Sequence, residues 1–327
     1  MPVMTLIQAL RQGLDEELGR DERVVLIGND IGRRGGIFGA TRNMFEKYGA
    51  QRVIDWPLST SGMVGASIGM ALNGFRPICE IQFAGLIFPA FNQIVNEATQ
   101  IHYRSCGEWN VPLVLRAPYG GGMGSGLYHS QSVEAFFTHS PGLKVVIPSN
   151  PYDAKGLLIS AICDPNPVLF LEPVKGYRTV QGEVPEGPYT VPLSQARVTR
   201  SGGALTLIAY GMMHEYALRA AERAAQEGIE VEVIDVRTLY PLDAETILRS
   251  VRKTNRALIV HEAPLTGGYG AEIAALLADQ AFDALDAPVK RLAGADIPAV
   301  PFSYPMQEWF MLNTEKIAAA IRELHKY

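Results

Sequence analysis

The clearest sign of chemistry in this 327-residue chain is a histidine that follows a glycine-rich loop. His129 comes just after the run Gly120–Gly126, and a helical segment is expected to follow it. Glycines let a backbone approach a ligand closely, and an imidazole can exchange a proton near neutral pH. The alternative is an ordinary loop histidine whose neighbouring glycines only make turns. The pattern therefore marks His129 as a candidate catalytic residue.

A second glycine-containing loop lies near the start of the chain. The run Gly28–Gly32 follows an apolar stretch, and the pair Gly35-Gly36 comes shortly after it. Loops at the carboxyl ends of parallel strands are where such sheets bind ligands. The spacing is neither a GxGxxG fingerprint nor a P-loop, so by itself it identifies no ligand.

Composition excludes several functional classes. With 47% hydrophobic and 19% charged residues, the chain has no character of a disordered protein. Its net charge of -5 provides no basic surface for nucleic acid and no polybasic membrane patch. No signal-like segment opens the chain, and no apolar run approaches the ~18 residues of a membrane span. We therefore expect a soluble, cytoplasmic protein that binds small molecules and protein partners.

The cysteines and histidines exclude two further kinds of site. Cys79, Cys106 and Cys163 are unevenly spaced and odd in number, which argues against a disulfide framework and fits a reducing compartment. The histidines show no HExxH or similar spacing, so we expect no zinc site.

Apolar runs alternate with helical-period segments along the chain, as in α/β proteins with parallel sheets. Near-continuous apolar character is typical of strands covered by helices on both faces. The predicted strands are Val24–Gly28, Pro77–Phe83, Pro112–Arg116, Lys144–Ile147, Val168–Glu172, Leu205–Tyr210, Val231–Val236, Ala257–His261 and Val289–Leu292.

Two helices are expected to position the first half of the chain. The first is capped by Thr5, with Gln8 reaching back, and ends near Gly19. Another, from about Gly62 to Asn73, carries small residues that permit close packing or ligand contact. Later helices are predicted at about His214–Gln226, Ala244–Val251, Gly270–Phe282 and Thr314–His325.

Several longer runs together resemble one family. They are Gly126–Ser132, Phe136–Pro148, Arg52–Asp55, Arg76–Phe83, Pro151–Leu158, Asp235–Leu239 and His261–Gly268. They are similar to the beta subunit of the thiamine diphosphate-dependent 2-oxo acid dehydrogenases, the branched-chain type most of all, and the likeness spans nearly the whole chain. The resemblance implies a pyrimidine-binding parallel-sheet domain at 1–180 followed by a transketolase C-terminal α/β domain at 201–327. The Gly, Pro and charged residues at 181–200 indicate a linker between them.

The resemblance also implies a cofactor and partners. In that family the beta subunit binds the aminopyrimidine, while an alpha subunit holds the diphosphate through Mg²⁺ and a GDG motif, which this chain lacks. It implies an α2β2 heterotetramer that decarboxylates a 2-oxo acid (EC 1.2.4.-) and passes the acyl group to a lipoyl acyltransferase core. His129 is similar to the family histidine that faces the thiazolium, and Gln82 and Leu86 fall at cofactor-contact positions.

The chain departs from this family where the cofactor is activated. Thr60 stands in the slot of the glutamate that bonds the pyrimidine nitrogen and promotes the reactive tautomer. Asn29 and Asn92 stand where family acids relay protons, and Leu86 replaces a tyrosine, with Gly85 in place of the acid before it. A hydroxyl cannot replace a general acid, and losing one costs about 10² to 10⁴ in rate. The open interpretations are a thiamine enzyme with altered proton handling, an acyloin-forming or acyl-transferring enzyme, and a non-catalytic subunit that supports an alpha partner.

The resemblance further suggests a monovalent cation site. In the family, carbonyls and an aspartate hold K⁺, and the turn at Asp164–Pro167 has suitable chemistry. An Asp/Asn-capped turn without an ion is the alternative. The candidate ligands are Val111, Leu113, Val114, Ala161, Asp164 and Asn166.

Overall fold

Two parallel-stranded sheets organise the chain in the computed structural model, which describes residues 1–327. The chain divides into two compact units, one made of Met1–Tyr119 and Phe136–Leu193, the other of Gly120–Ala135 and Ser194–Tyr327. The division after Leu193 falls inside the predicted linker. The segment Gly120–Ala135, which carries His129, groups with the second unit although it lies within the first half of the sequence.

In the first unit, six parallel strands lie in the order β6-β7-β5-β4-β2-β3. Their bounds are β2 Val24–Gly28, β3 Val53–Asp55, β4 Arg76–Glu80, β5 Val114–Tyr119, β6 Lys144–Val146 and β7 Val168–Pro173. Gly28 pairs with Asp55 on one side and Glu80 on the other, and Glu80 pairs with Arg116. This register brings polar side chains together at the carboxyl edge of the sheet.

Five of these six strands form near their predicted positions, because their apolar side chains are buried on both faces. β3 was not predicted, since only three residues form it. All five residues of Val24–Gly28 and all six of Val168–Pro173 are buried. β4 is shorter than predicted: it ends at Glu80, and the polypeptide then turns so that Gln82 lies in a loop.

The helices of the first unit include those predicted. Their bounds are α1 Leu6–Arg20, α2 Met44–Tyr48, α3 Thr60–Leu72, α4 Ile101–Arg104, α5 Glu134–Thr138, α6 Pro151–Cys163 and α7 Gly176–Thr179, with a 3₁₀ helix at Ala84–Ala90 and a π-helix at Gln93–Ala98. Thr5 and Gln8 form the expected capping box on α1. α3 begins two residues before the predicted start at Gly62, so Thr60 lies in its first turn.

Part of the predicted linker packs on the first unit. Strand β8 (Gln181–Glu183) pairs antiparallel with β1 (Val3–Thr5), and Val184 and Val191 are buried. The sequence did not predict this packing, because isolated apolar side chains among glycines and prolines show no periodicity.

The second unit contains a five-stranded sheet in the order β14-β13-β10-β11-β9, parallel except for the edge strand β9. The strands of this sheet are β9 Arg197–Arg200, β10 Leu205–Ala209, β11 Val231–Asp235, β13 Ala257–Pro264 and β14 Lys290–Gly294. The short strand β12, Thr238–Tyr240, lies outside this sheet. The helices are α8 Met212–Ala225, α9 Ala244–Thr254, α10 Gly270–Gln280, α11 Tyr304–Phe310 and α12 Thr314–His325, with a 3₁₀ turn at Phe282–Ala284. None of the helices in either unit is long and apolar enough to cross a membrane.

Candidate active site

A small pocket at the carboxyl edge of the first sheet brings three of the predicted site residues together. Thr60, Gln82 and Leu86 line it, with Asn29 from the loop after β2. Its remaining lining is Pro57, Leu58, Ser59, Met63, Glu80 and Ile81. Counted out to its open mouth, the pocket is about 220 Å³. The space in it that a water-sized sphere can occupy is about 10 Å³, so this chain provides a lined surface rather than a cavity large enough to enclose a ligand.

Hydrogen bonds from the amide side chains of Gln82 and Asn29 shape the polar side of this pocket. The Gln82 amide donates to the carbonyl of Asn29 at 3.3 Å and to Asp30 Oδ2 at 3.2 Å. Asn29 Nδ2 donates to the carbonyl of Trp56 at 3.2 Å. These bonds join the loop after β2 to the loop after β4 and to the segment that enters α3. The loop that carries Asn29 is therefore held in place against the amino end of α3.

Thr60 is 7% exposed, and its hydroxyl limits the proton chemistry that it can perform. Its hydroxyl can donate or accept a hydrogen bond, but it has no acid proton to release near neutral pH. Asn92, the third neutral substitution, is exposed, accepts a bond from Asn96 at 2.8 Å and does not line the pocket. The structure thus places two of the three neutral substitutions, at Thr60 and Asn29, in one site.

Glu80 is a carboxylate on the pocket wall that the sequence motifs did not single out. It is ion-paired with buried Arg116, which also binds both oxygens of Glu172 at 2.8 and 2.9 Å. Tyr177 donates its hydroxyl to the same Glu172. Burial raises the pKa of Glu80, and the positive charge of Arg116 opposes that rise. A lone acid at the end of an otherwise apolar strand was the signal that could have found it.

His129 lies in the second unit, on an exposed part of Gly120–Ala135. Glycines with positive φ shape the loop before it; Gly126, at φ +62°, leaves no room for a Cβ because Phe302 packs against it. Gly124 donates its N–H to Gln307 Oε1 at 3.1 Å. The glycines therefore have a packing role in addition to any role in ligand binding.

Comparison with known proteins places both units. Residues 3–179 match the pyrimidine binding domain of transketolase, and residues 194–317 match the transketolase C-terminal domain. The chain is 49% identical to the 2-oxoisovalerate dehydrogenase subunit beta of Bacillus subtilis, with 100% of each chain covered. It is 48% identical to subunit beta 2 of the mitochondrial 2-oxoisovalerate dehydrogenase of Arabidopsis thaliana, covering 99% of this chain and 90% of the relative.

It is also 44% identical to the pyruvate dehydrogenase E1 component subunit beta of Bacillus subtilis, with 99% of each chain covered. The chain belongs to the 2-oxo acid dehydrogenase beta-subunit family. A solved structure described as a split gene transketolase, inactive beta4 tetramer, superposes with a TM-score of 0.80 at 22% identity over 99% of this chain and 98% of that one, which shows the fold alone.

Membership of this thiamine diphosphate-dependent family allows the pocket to be tested for fit. Met63 and Leu86 provide apolar contact for the face of an aminopyrimidine ring, while Thr60, Asn29 and Gln82 provide polar groups for its edges. The chemistry of the lining therefore fits that ring. A carboxylic acid at the Thr60 position is absent from this beta subunit.

The predicted cation ligands of this beta subunit surround an ion pair. Lys144 Nζ lies 2.8 and 2.7 Å from the two carboxylate oxygens of Asp164, and Asn166 donates its N–H to Asp164 Oδ1 at 2.9 Å. Val111, Leu113, Val114 and Ala161 are buried, and Asp164 N–H donates to the Ala161 carbonyl. An ammonium group thus lies at the one acidic ligand of the set, and the K⁺ site stays a prediction.

Proposed function

We propose that this chain is the beta subunit of a thiamine diphosphate-dependent enzyme that decarboxylates a branched-chain 2-oxo acid. The observation that carries the proposal is the pocket that assembles Thr60, Gln82, Leu86 and Asn29 in a pyrimidine binding domain. The identity to 2-oxoisovalerate dehydrogenase beta subunits over the full chain supports the substrate class. EC 1.2.4.- is the corresponding reaction class.

In this proposal the first unit binds the aminopyrimidine, and an alpha subunit binds the diphosphate through Mg²⁺. Thiamine diphosphate, when bound, supplies a nucleophilic carbon and an electron sink for decarboxylation. Gln82 and Thr60 would hold the polar edge of the ring, and Leu86 and Met63 would exclude water from its face. His129 would exchange a proton with the substrate or the acyl acceptor. Two alpha and two beta chains would form the α2β2 assembly, with a lipoyl acyltransferase as the acceptor of the acyl group.

The test begins with the chain alone. Calorimetry with thiamine diphosphate and Mg²⁺ should detect negligible binding to the purified chain, because the diphosphate has no binding motif here. Co-expression with its alpha chain should give α2β2 by light scattering, and that complex should bind the cofactor. Micromolar binding by the chain alone would show that the division of the cofactor site is wrong.

Turnover then separates the candidate functions. The α2β2 complex is assayed with 2-oxoisovalerate and with pyruvate, using an artificial electron acceptor, beside a His129→Ala complex. The proposal expects CO₂ release that is faster with 2-oxoisovalerate and lower in the variant. Carbon–carbon bond formation without electron transfer would favour an acyloin-forming enzyme. A complex without cofactor binding would favour a non-catalytic subunit.

A further inference from the structure

The segment that carries His129 is attached to the second unit by a carboxylate near each of its ends. Gly121 donates its backbone N–H to Glu262 Oε1. At the other end, Tyr210 donates its hydroxyl to Glu134 Oε1 at 3.0 Å. Both acids are buried, at 8% exposure for Glu262 and 0% for Glu134. We call Glu134 and Glu262 the acid pair.

Glu134 is buried without a compensating charge. Its second oxygen, Oε2, has no hydrogen-bond partner. Burial raises the pKa of Glu134 to about 7, and the negative charge of Glu262 adds to the rise, while bonds from its own backbone N–H and from Tyr210 oppose it. A carboxyl group in such surroundings is more stable with a proton than without one.

The other groups packed in this region do not supply a cation to Glu134. His261, next to Glu262 on β13, stacks parallel to Tyr210 with ring centroids 6.5 Å apart. Burial lowers the pKa of His261 to about 4, and the charge of Arg291 on β14 acts in the same direction, so His261 is neutral at pH 7. The Arg291 guanidinium donates to the carbonyl of Leu265 at 2.9 Å.

The start of the segment lies directly against one member of the acid pair. Gly120 has φ +85°, and a Cβ there would lie 2.9 Å from Glu262 Oε1. The first residue of the segment is therefore packed against Glu262. Ser130, one residue beyond His129, is buried and its hydroxyl oxygen lacks a hydrogen-bond partner. The exposed imidazole therefore lies between two anchored ends.

We propose that the acid pair positions His129, and that it does so fully only while Glu134 carries a proton. When that proton passes to solvent, two buried carboxylates repel each other and the segment Gly120–Ala135 opens more often. Glu134 is then a positioning residue for the chemistry that we have proposed for His129, and this positioning role rests on that proposed function. The proton-dependent attachment of the segment does not rest on it.

Hydrogen–deuterium exchange on the full-length chain tests the attachment. Protection factors of amides between residues 121 and 133, corrected for intrinsic exchange at each pH, are measured from pH 5 to 8.5. If opening releases one proton, protection should fall about tenfold per pH unit between about pH 5 and 7 and then level off. Glu134→Gln, which retains the shape but cannot ionise, should make the protection factors independent of pH.

Glu245→Gln is the matched control, because Glu245 is an exposed acid of the same unit, with 90% of its side chain accessible. It should keep the original pH dependence. A flat profile in the original chain would overturn the proposal, and so would an unchanged slope in Glu134→Gln. An inactive α2β2 complex would refute the proposed function but leave this result standing.

The positioning role is tested in the complex by the pH profile of kcat. The original complex should lose activity as pH rises through about 7, and Glu134→Gln should lack that decline. A purely structural role would lower kcat by the same factor at every pH. That outcome would remove Glu134 from the positioning of His129.

Discussion

Both units bury acids beside candidate site residues, but they differ in what neutralises them. In the first unit, Glu80 and Glu172 share the guanidinium of Arg116 next to the Thr60 pocket. In the second, Glu134 receives a hydroxyl from Tyr210, and no basic side chain acts on its pKa. A buried cation stabilises the charged form of an acid, whereas burial alone favours the protonated form. The first arrangement places a cation directly against two acids, whereas the second leaves an acid whose pKa burial raises to about 7.

The family resemblance predicts a proton donor at the position of Thr60 in the first unit, and the largest expected effect comes from introducing one. Thr60→Glu in the α2β2 complex should speed exchange of the cofactor C2 proton by about 10² to 10⁴, because burial would keep the new carboxyl protonated. Deuterium exchange at C2, followed by NMR after acid quench, measures it.

Thr60→Gln is the control, since it has the size of glutamate without the acid proton. Overpacking could cost about 1 to 3 kcal/mol, so folding of both variants is checked first. Equal exchange rates in the folded original, Thr60→Glu and Thr60→Gln complexes would mean that the lack of an acid at this position does not limit activation of the cofactor. Fast exchange in the original complex would show that another group already activates the cofactor.

The next effect concerns Arg116, the buried cation of the first unit. Arg116→Met should reduce the free energy of unfolding by about 3 to 5 kcal/mol, because it leaves two buried carboxylates without their cation. Urea denaturation followed by circular dichroism measures the loss. Arg219→Met is the control: its ion pair with Glu215 at 2.7 Å is on the surface and should contribute less than about 1 kcal/mol.

If Arg116→Met were no more destabilising than Arg219→Met, the acids of the first unit would not depend on a buried cation. The distinction between the two regions would then be wrong. A triple variant that adds Glu80→Gln and Glu172→Gln should recover part of the loss, since it removes the unpaired charges.

The smallest effect is the pH dependence of stability in the second unit. The pKa of Glu134 rises from its ordinary value of 4.5 to about 7 on folding, so the folded chain holds one more proton between those values. Its stabilising contribution is therefore present below about pH 4.5 and is lost as pH rises to about 7, by roughly 3 kcal/mol. Glu134→Gln should remove this decline.

The measurement is the difference in free energy of unfolding between the original chain and Glu134→Gln from pH 5 to 8. The difference should shift in favour of the variant as pH rises. A constant difference would show that Glu134 has the same protonation state in the folded and unfolded chain, and the contrast with the first unit would disappear.

Sequence patterns predicted the elements better than the contacts between them. Val24–Gly28 and Thr314–His325 have the predicted bounds because a continuous apolar run and a capped amphipathic period are local properties. Helix α11, at Tyr304–Phe310, was not predicted, since its exposed aromatic residues show no apolar face. The family resemblance and the α/β fold class, both taken from local motifs, are confirmed.

What the sequence by itself determined is the family, the α/β fold class, most of the longer strands and helices, and the neutral residue at Thr60, because residue types and short periods carry that information. Tertiary structure alone decided which distant residues meet. Pairing of β4 with β5 brings Glu80 to Arg116, and packing of Gly120–Ala135 on the second unit brings Glu134 to Tyr210, 76 positions away. Such contacts depend on how the strands pair and the segments pack. No local pattern in the sequence specifies whether a buried acid will meet a guanidinium or a hydroxyl.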